Sequence, residues 1–267
     1  AGEADGDLLV QAIGNALAQY RQNGVLRPGT LDLAPVPSQA GRFAFPGKIK
    51  PFPATGEPRH WALADAGHHQ IAVLDDSGRE TARFGSGSPG LEDGPAAQAR
   101  FNGPQGLICG EDPDGRMAIF VADTGSHAIR QIDVASGMVT TLAGNGRRGP
   151  VLGATDSAAA SALASPWDLE LAGTTLYFAN AGTHQLGLLD LAAGTVAALA
   201  GDGDETILDG PALAARLAQP SGLALSPDGA QLYFADSETS SVRVLHLSEL
   251  RVETLVGTGL FDFGHVN

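Results

Sequence analysis

A residue of one kind, Asp or its amide, closes a short apolar run at Asp65, Asp123, Asn180 and Asp236, at spacings of 58, 57 and 56 residues. The stretch around Asp123, IFVADTGSHAIRQIDVASGMVTTLAGNG, holds three apolar runs at Ile119–Val121, Ile129–Ile132 and Val139–Leu142, with turn-forming residues between them. Runs this short, rich in β-branched residues and bounded by Gly, Asp and Ser, read as strands joined by tight turns. The pattern returns as ALADAGHHQIAVLDDSGRETARFG, LYFANAGTHQLGLLDLAAGTVAALAGDG and LYFADSETSSVRVLHLSELRVETLVGTG. A period this steady over four copies restricts the chain to a repeat architecture.

Each copy opens with a proline and one further strand, at Pro46, Pro104, Pro166 and Pro220. Proline at a strand start sets φ where no ladder bond is needed. Four antiparallel strands per unit, arranged radially, make a β-propeller blade. The sequence therefore predicts an all-β propeller over 45–267, with four-stranded repeats at 45–85, 101–144, 163–201 and 217–257 and the start of a fifth at 258–267. The joints repeat as well: EDGPAAQARFNGP and LDGPALAARLAQP match position for position, and TDSAAASALASP is one residue shorter. Each delivers one apolar residue, Phe101, Leu163 or Leu217, expected to plug the gap between blades. Ahead of the propeller, Leu9, Ile13, Ala16, Leu17 and Tyr20 fall at helical spacing, with Asp7 as N-cap and Gly24 as stop, so 1–24 is read as a short amphipathic helix. The segment 25–44 is proline-rich, and Leu31–Leu33 and Arg42–Phe45 are read as short strands.

Charge narrows the partners. Thirty acidic against 16 basic residues give a formal charge of −14, a field that repels nucleic acid and anionic membranes. The expected partner is a protein or a small ligand. The single cysteine, Cys109 in GLICG, is read as a buried strand thiol. With no disulfide to make and no basic-then-apolar leader, a cytoplasmic location is expected over a periplasmic one. Four blades leave blade faces uncovered, which predicts self-association if the ring is incomplete.

The motifs VADTGSHAIRQID, LADAGHHQIAVLD and FANAGTHQLGLLD resemble the NHL repeat. The Gly-rich joints, SerProTrpAsp at 165–168 and GlyLeuPheAspPheGly at 259–264 are similar to those NHL-repeat proteins that carry a thioredoxin-like domain before a six-bladed propeller. The resemblance implies that the chain is a piece of such a protein, without the thioredoxin-like domain and its Cys-x-x-Cys motif. It implies a fold and leaves the activity open.

The repeated polar residues are read as structural. His69, His127 and His184, with Ser240 in the fourth copy, sit at one repeat position, and repeat symmetry separates them too far for a shared ion. Asp65, Asp123, Asn180 and Asp236 are read as hydrogen-bond acceptors at the start of a tight turn, with charge not required because Asn180 serves. The site candidates are Trp167 and Asp168, at positions held elsewhere by Gln105-Gly106 and Ser221-Gly222 on the strand expected to line the channel. An acid there serves as a cation ligand or base, or as a hydrogen-bond partner to a neighbouring backbone. With only Asp168, Gln105 and Ser221 to converge, the chain is read as a non-catalytic binding module without a cofactor. The alternative is a Ca²⁺- or Zn²⁺-dependent hydrolase or lyase of the six-bladed type, with its site in the channel.

Overall fold

The computed structural model describes residues 6–25, 41–52 and 59–260. The chain divides into two compact units between Arg42 and Phe43. In the first, helix α1 spans Gly6–Gln22, so it begins one residue before Asp7. It stops where expected: Gly24 is left-handed at φ 64°, Gly24 N–H donates to Arg21 O and Val25 N–H to Tyr20 O. Those two bonds are the glycine-terminated C-cap that satisfies the last carbonyls. Val10, Ile13, Leu17 and Tyr20 are all exposed. Leu31–Leu33 lies outside the described residues.

The second unit is four blades. Blade 1 holds β1 (Pro46–Pro51), β2 (His60–Asp65), β3 (Gln70–Asp75) and β4 (Glu80–Phe84), paired antiparallel in that order. Blade 2 holds β5 (Gly94–Pro95), β6 (Gly106–Glu111), β7 (Met117–Asp123), β8 (Ala128–Asp133) and β9 (Met138–Ala143). Blade 3 holds β10 (Asp156–Ser157), β11 (Pro166–Ala172), β12 (Thr175–Asn180), β13 (Gln185–Asp190) and β14 (Thr195–Ala200). Blade 4 holds β15 (Gly210–Pro211), β16 (Pro220–Leu225), β17 (Gln231–Asp236), β18 (Ser241–His246) and β19 (Arg251–Val256). Blades 2–4 thus have five strands, not four: the joint lays a two-residue strand on the outer edge before the chain crosses to the innermost strand. Two residues carry no period-2 signal, so sequence pattern alone misses them. Arg42–Phe45 is a bend and not a strand, and it ends with Phe45 in the left-handed region at φ 47°.

The core lies between blades. The front face of blade 1 (Ala62, Ala64, Ile71, Phe84) packs on the back face of blade 2, which includes Phe101, Leu107, Ile119 and Val139. The same layers recur around Leu163 and Leu217, so all three joint residues are interblade plugs. Cys109 is buried in the first of these layers, and burial pushes its thiol up to about 12. Blade 4 breaks the pattern. Ile71, Ile129 and Leu186 are 0% exposed, whereas their equivalent Val242 is 45% exposed and Val256 is 65% exposed. Among the described residues nothing covers this front face.

Inside each blade the repeated Asp or Asn is a long-range staple. It accepts a backbone N–H from the segment leading into its own innermost strand: Ala44 to Asp65 at 2.8 Å, Asn102 to Asp123 at 2.7 Å, Ala164 to Asn180 at 2.9 Å and Ala218 to Asp236 at 2.7 Å. The expected capping of the adjacent turn does not occur. Nor is charge incidental. Asp65 pairs with Arg83 at 2.8 Å, Asp123 with Arg130 at 3.1 Å and Asp236 with Arg243 at 2.8 Å. Arg130 and Arg243 occupy one repeat position, seven residues after the acid, and both are fully buried. In blade 3 that position is Gly187, against which the Phe178 ring packs, and there the acid becomes Asn180, whose Nδ2 donates to Thr183 Oγ1 at 2.6 Å. Charge and countercharge are present together or absent together, as the cost of an unpaired buried ion requires.

Candidate functional site

The innermost strands β1, β6, β11 and β16 contact one another in succession and line the channel. The residues that follow the repeat prolines, Gly47, Gln105, Trp167 and Ser221, come to one cleft of about 460 Å³ together with Lys48, Asp168, Leu223, Tyr233 and Val242. All four sequence candidates therefore lie together. Trp167 is 40% exposed at the rim. Ser221 shares a hydrogen bond of 2.5 Å with Ser237.

Asp168 is buried and its oxygens are engaged on three sides. Oδ1 accepts the Leu169 N–H at 2.9 Å, and Oδ2 accepts the Leu223 N–H of blade 4 at 2.8 Å and the Lys48 ammonium of blade 1. One turn of the pleat along, Lys50 Nζ meets Glu170 Oε1 at 2.6 Å. Two lysines of blade 1 thus face two acids of blade 3 as rungs along the channel. Strand periodicity dictates this, because residues i and i+2 point the same way. Blade 2 intervenes with Gly106, where a Cβ would come 2.6 Å from Asp168 Cα and 2.7 Å from Asp168 Oδ1. Glycine at 106 is what leaves room for the Asp168 carboxylate, which Lys48 reaches from blade 1. Sequence reading missed Lys48, Lys50 and Glu170. Their signal was available: lysines and acids at identical i, i+2 spacing in equivalent strands.

The repeat histidines are placed one per blade. His69, His127, His184 and Ser240 all adopt left-handed φ, from 48° to 55°, at the end of the 3-10 turn after the second long strand. Their rings do not serve that turn. Gly103 N–H donates to His69 Nδ1 at 3.0 Å, Ser165 N–H to His127 Nδ1 at 3.0 Å, and Gln219 N–H to His184 Nδ1 at 3.2 Å, in each case from the following blade. Among the described residues, no three His, Cys, Asp or Glu side chains are grouped so as to hold a metal ion. An acidic stretch at 201–205, GDGDE, is tied down by Arg216, which reaches Asp202 at 2.9 Å and Asp204 at 3.0 Å. No described helix is long and apolar enough to cross a membrane.

No family model matches the chain. It is 32% identical over 300 residues to NHL repeat-containing protein 2 of Homo sapiens and of Bos taurus, over the whole of this chain and 40% of each relative. It is 33% identical over 284 residues to Protein SUPPRESSOR OF QUENCHING 1, chloroplastic, of Arabidopsis thaliana, over 99% of this chain and 26% of that protein. The chain therefore spans well under half the length of these relatives. Among solved structures, it is similar to a protein of unknown function from Bacteroides thetaiotaomicron, with a TM-score of 0.53, 17% identity and coverage of 78% of this chain and 47% of that one. An auxiliary nutrient binding protein from Bacteroides ovatus gives a TM-score of 0.51 at 18% identity, over 77% of this chain and 46% of that one. At these identities the likeness speaks to the fold.

Proposed function

We propose, from the premise that this chain is an NHL-repeat β-propeller, that it is a non-catalytic binding module presenting the cleft mouth at Trp167, and that it works beside a thioredoxin-like domain in the full protein. One observation carries the reading: the cleft's acid is already spent on structure. Asp168 accepts from Lys48, Leu169 and Leu223 and joins blades 1, 3 and 4. A general base or cation ligand needs a free oxygen lone pair directed at the ligand. The rim is different in kind. A half-exposed indole beside hydroxyl groups is the amphipathic surface that protein recognition favours. The thioredoxin-like neighbour is supported by the sequence resemblance, and the relatives' extra length leaves room for such a domain.

The test places a photo-crosslinking amino acid at position 167 of the full-length protein. Cross-linked peptides joining residue 167 to the thioredoxin-like domain are expected. Cross-links confined to the propeller itself would overturn the assignment of this rim.

A further inference from the structure

The three interblade histidine bonds share a chemical requirement. A backbone N–H is always a donor, so the Nδ1 that faces it must be an acceptor. Each of the three rings is therefore neutral and carries its hydrogen on Nε2. The donors are as constrained as the acceptors. Gly103, Ser165 and Gln219 have φ of 59°, 50° and 57°, left-handed like the histidines they bind. Each also precedes a proline, Pro104, Pro166 or Pro220, where this conformation is disfavoured. The residue immediately after that proline is Gln105, Trp167 or Ser221, each of which lines the cleft. The imidazole bond thus ties down a positive-φ residue two positions before one that lines the cleft.

We propose that His69, His127 and His184 make the cleft mouth acid-sensitive: protonation puts a hydrogen on Nδ1 against a backbone N–H, breaks the interblade bond and frees the segments that carry Gln105, Trp167 and Ser221. The step is a proton gain from solvent with no other bond made or broken. It stands on the geometry of these bonds, whatever the cleft binds.

The surroundings differ among the three. Burial holds the His184 imidazole below its ordinary value, Glu205 and Asp236 favour its charged form, and Arg148 opposes it. The repeat equivalent of Asp236 in the blade facing His69 is Asp123, and in the blade facing His127 it is the neutral Asn180. His127 Nδ1 also lies 3.4 Å from Ser165 Oγ. His68, beside His69, keeps its own ring on Asp65 Oδ2 at 2.8 Å and is not part of the device. Burial pushes the Asp123 carboxyl up to about 6 and raises Asp236 too. Their titration works in the opposite direction, so the histidines must be read against a variant that keeps these acids. His184, held below its ordinary value, binds fewer protons than in the unfolded chain, so its contribution is intact at higher pH and is lost as pH falls through 6.5 toward the lower native value.

The test uses the intact chain. Long-range ¹H–¹⁵N spectra at about pH 7.5 should show all three rings as the Nε2–H tautomer, since that pH lies above the imidazole range. On acidification to about pH 5.5, amide protection at Gly103, Ser165 and Gln219 should fall about tenfold, the signature of local opening. In a Trp61→Phe background, which leaves Trp167 as reporter, the emission should shift over the same range, and His127→Asn should remove most of that shift. Asparagine tolerates the left-handed conformation and does not titrate. An Nδ1–H tautomer in the wild-type chain, or a pH response unchanged by His127→Asn, would overturn the proposal. The tautomer is read on the wild-type protein, so the answer does not depend on the variant folding.

Discussion

Arg130→Ala is expected to destabilise the chain by about 3–5 kcal/mol, because it strands a buried carboxylate. Arg130 is fully buried, and its guanidinium donates to Asp123, Asp93 and the carbonyls of Arg100 and Glu92. It also lies over the Phe101 ring at 5.2 Å, so the interblade plug loses a partner at the same time. Burial already pushes Asp123 up to about 6 despite the Asn102 N–H and Arg130. Without the arginine the charged form is less favourable still. The deficit is therefore largest at neutral pH and shrinks as acid neutralises the carboxyl. Thermal or urea unfolding of Arg130→Ala across pH measures it, with a fall in the melting midpoint of roughly 10 °C at neutral pH. The double variant Asp123→Asn with Arg130→Met should recover more than half of the loss, since it reproduces the neutral arrangement blade 3 already uses. A loss of less than about 1 kcal/mol for Arg130→Ala, the range of an exposed pair, would contradict the account.

Asn180→Asp should be the second severe change, although it alters one atom. Asn180 is fully buried, accepts the Ala164 N–H and donates through Nδ2 to Thr183. An ionised carboxylate keeps the first bond, and keeps the second only if the Thr183 hydroxyl turns round to donate and gives up Gln185 Oε1. It also meets no arginine, because the repeat position that would supply one is Gly187. The expected cost is about 3 kcal/mol at neutral pH, from an uncompensated buried charge. The new carboxyl is charged in the unfolded chain above about pH 4 and driven toward its neutral form in the folded one. The penalty therefore appears as pH rises through about 4 and is absent below it, where both states hold the proton. Unfolding curves at about pH 4 and pH 7 read this directly. A guanidinium at position 187 would not rescue the variant, since even a Cβ there collides with the Phe178 ring.

The repeat made much of this fold legible. Four evenly spaced acids or amides, the plugs Phe101, Leu163 and Leu217, and the proline that leads each innermost strand all fell where the period put them. What stayed hidden has a physical reason. The outer strands at Gly94–Pro95, Asp156–Ser157 and Gly210–Pro211 are too short for an alternation to show. The partners of the repeat acids and histidines are backbone N–H groups, and every residue other than proline offers one. A sequence names the acceptor in such a bond and is silent about the donor. The arginine pairing was readable in principle, from the joint loss of Asp at 180 and Arg at 187. The cleft divides the same way. Trp167 and Asp168 stood out as departures from the repeat, whereas Lys48 and Lys50 declare themselves only when blade 1 is set against the acids of blade 3.

The most direct test of the central claim, that the channel acid is a clamp and not a catalytic centre, is a calorimetric titration of the chain with Ca²⁺ and with Zn²⁺, paired with a lactone-hydrolysis assay in each ion. The account predicts no saturable heat, no turnover, and a melting midpoint that either ion moves by less than about 1 °C, as linkage requires when the folded state binds no ion. Stoichiometric binding and metal-dependent turnover, both abolished in Asp168→Asn, would contradict it and place a metal-dependent enzyme in the channel.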